Sequence, residues 1–161
     1  MHIAYSEILI GLFLSAIFTG LIGLERQKRS KSAGITTHMI LGISTFAIGI
    51  LQRELVLESI AFLQANPELI GTYNIEGQRL SAQVLTGIGF LGAGTIFKQP
   101  DHITGLTTAV TLWSAGVIGL VMGMGQMVLA SGLAIAVIVI IFIFKELLHM
   151  TSAGARKEPL N

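Results

Sequence analysis

The sequence predicts an all-α integral membrane protein with five transmembrane helices, the N-terminus outside and the C-terminus cytoplasmic. Three observations predict it. Hydrophobic residues make up 52% of the 161 and charged residues only 12%, against about 25% charged in an ordinary soluble domain. The mean hydropathy is +0.77, so the chain is too apolar to solvate its own surface. Its charges fall between long uncharged runs, and its basic residues segregate.

The first run is Ile8 to Leu24 (ILIGLFLSAIFTGLIGL), between Glu7 and Glu25. No basic stretch precedes it and it leads into ERQKR, so it is expected to be a retained helix and not a cleaved signal peptide. The second is Ser32 to Gln52, whose only titratable group is His38, and the third is Leu80 to Phe97, between Arg79 and Lys98. The fourth, Ile103 to Phe144, carries no charge over about 40 residues, twice what one helix needs to cross about 30 Å of hydrocarbon. It must fold back, and Gly123-Met124-Gly125-Gln126 is the expected turn. Residues 53–79 join the second and third runs, either as a short surface helix or as a continuation of the second helix. A single domain over 1–150 is expected, with 151–161 a short flexible cytoplasmic tail.

Orientation follows from the basic residues. With ERQKRSKS cytoplasmic, the Lys98 loop and the C-terminal Lys145, Arg156 and Lys157 are cytoplasmic too. Arg53 and Arg79 alone lie outside.

Gly87 to Gly92 (GIGFLG) fits the G-x-G-x-x-G pattern of dinucleotide sites. That fingerprint needs a preceding strand, a soluble helix and an acidic residue about twenty positions on. Here the run continues into apolar sequence, and no sheet surrounds it. The expected role is packing: Gly87, Gly89, Gly92 and Gly94, with Gly20 and Gly23 on the first helix, let neighbouring backbones approach. A possible duplication is also visible. Gly34-Ile35-Thr36-Thr37 opens the second span and Gly105-Leu106-Thr107-Thr108 the fourth, which suggests two parallel helical hairpins, with coincidence as the alternative.

The expected topology gathers Glu25, Arg26, Thr37, His38, Thr95, Asp101, Thr107 and Thr108 at the cytoplasmic end. Polar groups at membrane depth need partners, so a shared network is expected, with threonine hydroxyls on backbone carbonyls. His38 is expected to hold a structural hydrogen bond, with pH sensing as the alternative. Glu7 is expected to be a solvated carboxylate. No His, Asp or Glu pair has metal-ligand spacing, and Cys is absent, so no metal site, disulfide or cofactor is expected. There is no catalytic triad order, phosphate loop or nucleic-acid patch, and an enzyme is not expected.

The segments GLIGLERQ (20–27), AGITTH (33–38), RLSAQVLTGIGFLGAGTIF (79–97) and GLTTAVTLWSAGVIGLVMGMG (105–125) together resemble the MgtC/SapB family of bacterial membrane proteins. The resemblance implies an inner-membrane protein linked to growth at low magnesium, acid stress and virulence. It implies action through membrane partners, including transport ATPases and the ATP synthase. It matches Glu25 and Arg26 to the acid–base pair ending the first helix, and Gly34, Thr37 and His38 to the first turn. Arg79 and Gln83 match the outer-side start of the third helix. Thr36 stands where many members have Arg, and the cytoplasmic domain of longer members is expected to be missing. A regulatory or adaptor role is therefore expected. A Mg²⁺ or proton transporter using the cytoplasmic cluster is the alternative, and a homodimer is the expected assembly.

Overall fold

A computed structural model describes residues 3–73 and 75–144; the 151–161 tail, Lys145 and the basic residues beyond it lie outside the described residues. Five α-helices follow in order: α1 (Tyr5–Lys28), α2 (Ile35–Ala65), α3 (Arg79–Ala93), α4 (Leu106–Gly123) and α5 (Met127–Val139), the last continuing as a π-helical turn over Ile140–Phe144. α1, α2 and α4 are long and apolar enough to cross a membrane. α3, with 15 residues, rises only about 22 Å, short of about 30 Å of hydrocarbon. Five full-length spans were expected; the described helices include three.

The third span ends earlier than its hydropathy because the chain turns after Ala93. Thr95 N–H donates to Gly92 O and Ile96 N–H to Ala93 O. The loop then forms a two-stranded hairpin, β1 (Phe97–Lys98) antiparallel to β2 (Ile103–Thr104). This is the departure from an all-α chain among the described residues. Gly105, at φ +88, reverses the backbone into α4, a conformation that glycine adopts without a Cβ penalty. Of the two readings of residues 53–79, continuation is what the structure shows. α2 runs on to Ala65, and a 3-10 turn (Pro67–Leu69) follows the Asn66-Pro67 break. The α4–α5 reversal falls at the expected glycines, with Gly125 at φ +88.

Helices consecutive in the chain alternate in direction. Gly11 lies against Phe46, Gly20 against Met39 and Gly23 against Gly34, so α1 and α2 are antiparallel. Gly42 meets Gly119 and Gly49 meets Gly123, so α2 and α4 run parallel. Glu25, His38, Lys98 and Thr108 therefore share one end of the bundle, and Glu7, Gln52, Ser81 and Met124 the other. α4 is central, with ten of its 18 residues buried. Its Ile118 packs with Ile22, Ala134 and Ile141 in one cluster, and its Met122 with Phe46 and Ala130 in a second. In lipid, such contacts gain little from water exclusion and rest on close dispersion packing.

The tightest approaches between α2 and α4 use glycines outside the set expected to pack helices. A Cβ on Gly119 falls within 2.9 Å of the Gly42 carbonyl carbon and nearer still to its oxygen. One on Gly123 falls 3.0 Å from Gly49 Cα. Of the expected packing set, Gly23 abuts Gly34 and Ile35 at 2.7 Å, Gly20 faces Met39 at 3.1 Å and Gly92 faces Ala109 at 3.3 Å, while Gly94 meets only its own turn. Gly87 and Gly89 face open space within the chain. They correct the expected α3 glycine face: only its Gly92 edge, with Ile88 seated on Gly116, packs inside this chain.

Candidate functional site

α2 buries three polar side chains spaced seven residues apart: His38, Thr45 and Gln52. Seven residues are close to two turns, so all three share the face turned to α1 and α4. Together with Ser15 and Thr19 of α1 and Thr108 and Thr111 of α4, they form a polar seam along the bundle interior.

One end of the seam is built by the α1–α2 turn. Ser30 takes a left-handed conformation at φ 52. Ser30 N–H then donates to Gln27 O and Lys31 N–H to Arg26 O, each at 3.0 Å, closing α1 in a Schellman pattern. The returning chain sets Gln27 Oε1 to accept from Ile35 N–H at 3.1 Å, which satisfies one of the free donors that begin α2. Above this turn Glu25 and Arg26 are buried, at 3% and 1% exposure. Arg26 Nε donates to Glu25 Oε2, and Arg29 Nε lies 2.5 Å from Glu25 Oε1. One carboxylate is thus held between two guanidinium groups.

His38 follows one turn into α2. Its Nδ1 lies 2.9 Å from Gly34 O; a carbonyl only accepts, so Nδ1 carries the hydrogen. Its Nε2 lies 3.1 Å from Thr111 Oγ1, which in turn lies 3.0 Å from Thr108 O. Thr111 has one hydroxyl hydrogen for these two acceptors. With a neutral imidazole it donates to Nε2. With an imidazolium, Nε2–H donates to Oγ1 and the hydroxyl turns to Thr108 O. The ring's protonation and the Thr111 rotor are one coupled choice. Thr111→Val keeps the shape and removes the partner, and we expect a loss of about 1–3 kcal/mol. Thr107→Val, at an exposed position, is expected to change thermal stability in detergent very little. Equal melting temperatures for the two variants would rule the contact out as a stabilising one.

Deeper in, Thr19 donates to Ser15 O at 2.7 Å and Thr45 to Leu41 O at 2.9 Å; the Ser15 hydroxyl, fully buried, has no partner among the described residues. At the far end Gln52 Oε1 accepts from Ser81 N–H at 2.7 Å and Ser81 Oγ–H at 2.6 Å. Arg53 pairs with Glu7 beside it, tying α2 to α1, so Glu7 is not the free solvated carboxylate expected.

Of the expected cluster, Glu25, Arg26, His38 and Thr108 come together, buried at one end. Thr95 is half-buried and donates to Gly92 O at 2.8 Å. Thr37, Asp101 and Thr107 are exposed and stand apart from it. Arg79 is exposed and pairs with Glu76 at 2.7 Å, and Gln83 is exposed. Gln27, Arg29, Thr45, Gln52, Ser81 and Thr111 were missed. Only the seven-residue spacing of His38, Thr45 and Gln52 signalled any of them in the sequence. No group of three His, Cys, Asp or Glu suited to a metal occurs among the described residues.

A bundle apolar outside, with most of its polar groups paired inside, defines a helical membrane protein. The MgtC family model matches residues 12–150, and the chain belongs to that family. YhiD of Escherichia coli (strain K12), whose name proposes magnesium transport, is 33% identical over 88% of this chain and 62% of its own length. Protein MgtC of Brucella abortus (strain 2308) is 38% identical over 83% of this chain and 47% of its own. Protein MgtC of Salmonella typhimurium (strain 14028s / SGSC 2262) is 34% identical over 73% and 44%. The chain thus spans less than two thirds of the length of each. No solved structure matches it.

Proposed function

We propose that this is a non-catalytic regulatory or adaptor protein of the bacterial inner membrane. It acts in magnesium homeostasis, at low magnesium or under acid stress and in virulence-associated survival, through contacts with membrane partners. The magnesium setting rests on family membership and on the name of YhiD. The adaptor mechanism rests on one observation: at Gly42–Gly119 and Gly49–Gly123 the backbones of α2 and α4 leave no room for a methyl group. A core closed in this way at two levels is built to hold a shape. The unpacked Gly87 and Gly89 on α3, beside Phe90 at 85% exposure, suit a partner helix. The partner classes are a transport ATPase, the ATP synthase or a second copy of this chain. In this reading the Glu25 end is cytoplasmic and the chain crosses five times as two duplicated hairpins and a last helix.

A second reading, a Mg²⁺ or proton transporter, is favoured by the seam from Glu25 through His38 and Thr45 to Gln52. Proteoliposomes holding a Mg²⁺ or pH dye decide between them. The adaptor reading expects no flux above protein-free vesicles, and Gly89→Leu leaving abundance intact while abolishing crosslinks to the ATPase in native membranes. Flux abolished by Glu25→Gln overturns it in favour of transport.

A further inference from the structure

Gln52 is 4% exposed, and only half of its side-chain amide is used. Ser81 N–H can only donate, so the Gln52 atom 2.7 Å away is the carbonyl oxygen, and the Nε2 hydrogens point elsewhere. Among the described residues Nε2 has no hydrogen-bond partner, and Gln52 lines three adjoining cavities of about 420, 380 and 430 Å³. Nε2 thus opens onto these cavities, and where lipid and not water fills them an amide donor without an acceptor is costly, so the site calls for an acceptor.

The largest of these cavities is a groove between α3 and α4. Gln52 and Ser81 stand at its head, Leu85, Val117 and Val121 line its walls, and Trp113 lies towards its other end. From Met124, beside Ser81, to Trp113 the groove follows α4 for about 16 Å at 1.5 Å per residue. Half of a hydrocarbon core of about 30 Å is about 15 Å. Trp113 is 45% exposed, so the groove is open on its outer side, where lipid lies. Arg53 lines the adjoining cavity but is already paired with Glu7, so no net charge selects a head group.

We propose that this groove is a binding site for one glycerophospholipid of the adjacent leaflet. An ester carbonyl accepts from Gln52 Nε2 where head meets chain, and one acyl chain lies along the groove with its far half beside Trp113. The site rests on the membrane reading alone and is indifferent to whether the protein is an adaptor or a transporter.

Trp113 is the only tryptophan in the chain, so its fluorescence reports on the groove. The test titrates full-length protein in mild detergent with phosphatidylcholine brominated on the acyl chain. The site predicts saturable quenching near one lipid per protein, stronger with bromine in the distal half of the chain than near the ester. Phosphatidylglycerol should compete as well as phosphatidylcholine. Gln52→Leu should weaken apparent affinity about tenfold, the loss of one hydrogen bond. Ala82→Phe, at an exposed groove position, should abolish saturation, and because it leaves the Ser81 bonds in place it keeps the test decisive if Gln52→Leu misfolds. Quenching that rises linearly with lipid alike in wild type and Ala82→Phe would overturn the site as ordinary solvation by lipid. Quenching seen only after a dimer dissociates would give the groove to a second copy instead. Carbonate extraction of the protein from vesicles separates failure of the membrane reading from failure of the site.

Discussion

Gly119→Ala is expected to remove most folded protein, whereas Gly87→Ala and Gly89→Ala leave melting temperature unchanged or raise it. The added methyl at Gly119 would sit inside the contact distance of the Gly42 carbonyl and the Thr45 hydroxyl. Neither can step aside cheaply, since Gly42 O is backbone and Thr45 is tied to Leu41 O at 2.9 Å. α2 and α4 must part, and dispersion contacts weaken along the rest of their parallel interface. Overpacking of this kind costs about 3 kcal/mol or more. At Gly87 and Gly89 a methyl meets nothing within 4 Å, and the helical backbone gains about 0.5–1 kcal/mol from alanine. Thermal unfolding in detergent, followed by size exclusion, reads the difference. Three superimposable melting curves would remove the α2–α4 glycine contact from this account.

Arg26→Leu is expected to be nearly as damaging, through charge. The Glu25 side chain is 4% exposed and that of Arg26 1%, so removing the cation leaves a carboxylate out of water with less compensation. Breaking one side of such a pair costs about 3–5 kcal/mol. Glu25→Gln leaves the Arg26 guanidinium in the same position. The double variant Glu25→Gln/Arg26→Leu should cost less than the two single losses together, with a coupling of about 1–3 kcal/mol. Arg29→Leu should cost less than Arg26→Leu, because the Arg29 side chain is 29% exposed. Additive single and double variants would show that the pair is not coupled.

The uncharged runs located α1, the start of α2 and the α4–α5 turn because charge is costly in lipid wherever it falls. The same signal misplaced the end of α3, since Thr95, Ile96 and Phe97 are as uncharged in a turn and hairpin as in a helix. The Glu25–Arg26–His38–Thr108 cluster was visible because helix reversal brings those positions to one end. Thr111 and Gln52 were hidden: each sits in or at the edge of an apolar run, and its partner is 73 or 29 residues away.

By itself the sequence determined that this chain belongs in a membrane, where it reverses, and which family it joins. Those follow from hydropathy, charge and motifs carried by consecutive residues. Which glycines bear the packing was decided only in three dimensions. A missing Cβ matters most where another backbone arrives to use the space, at Gly23, Gly49, Gly119 and Gly123 and not at Gly87 or Gly89. The tertiary structure likewise decided that the Gln52 amide opens onto a groove, because the direction of an amide donor is fixed by the neighbour that occupies its other end.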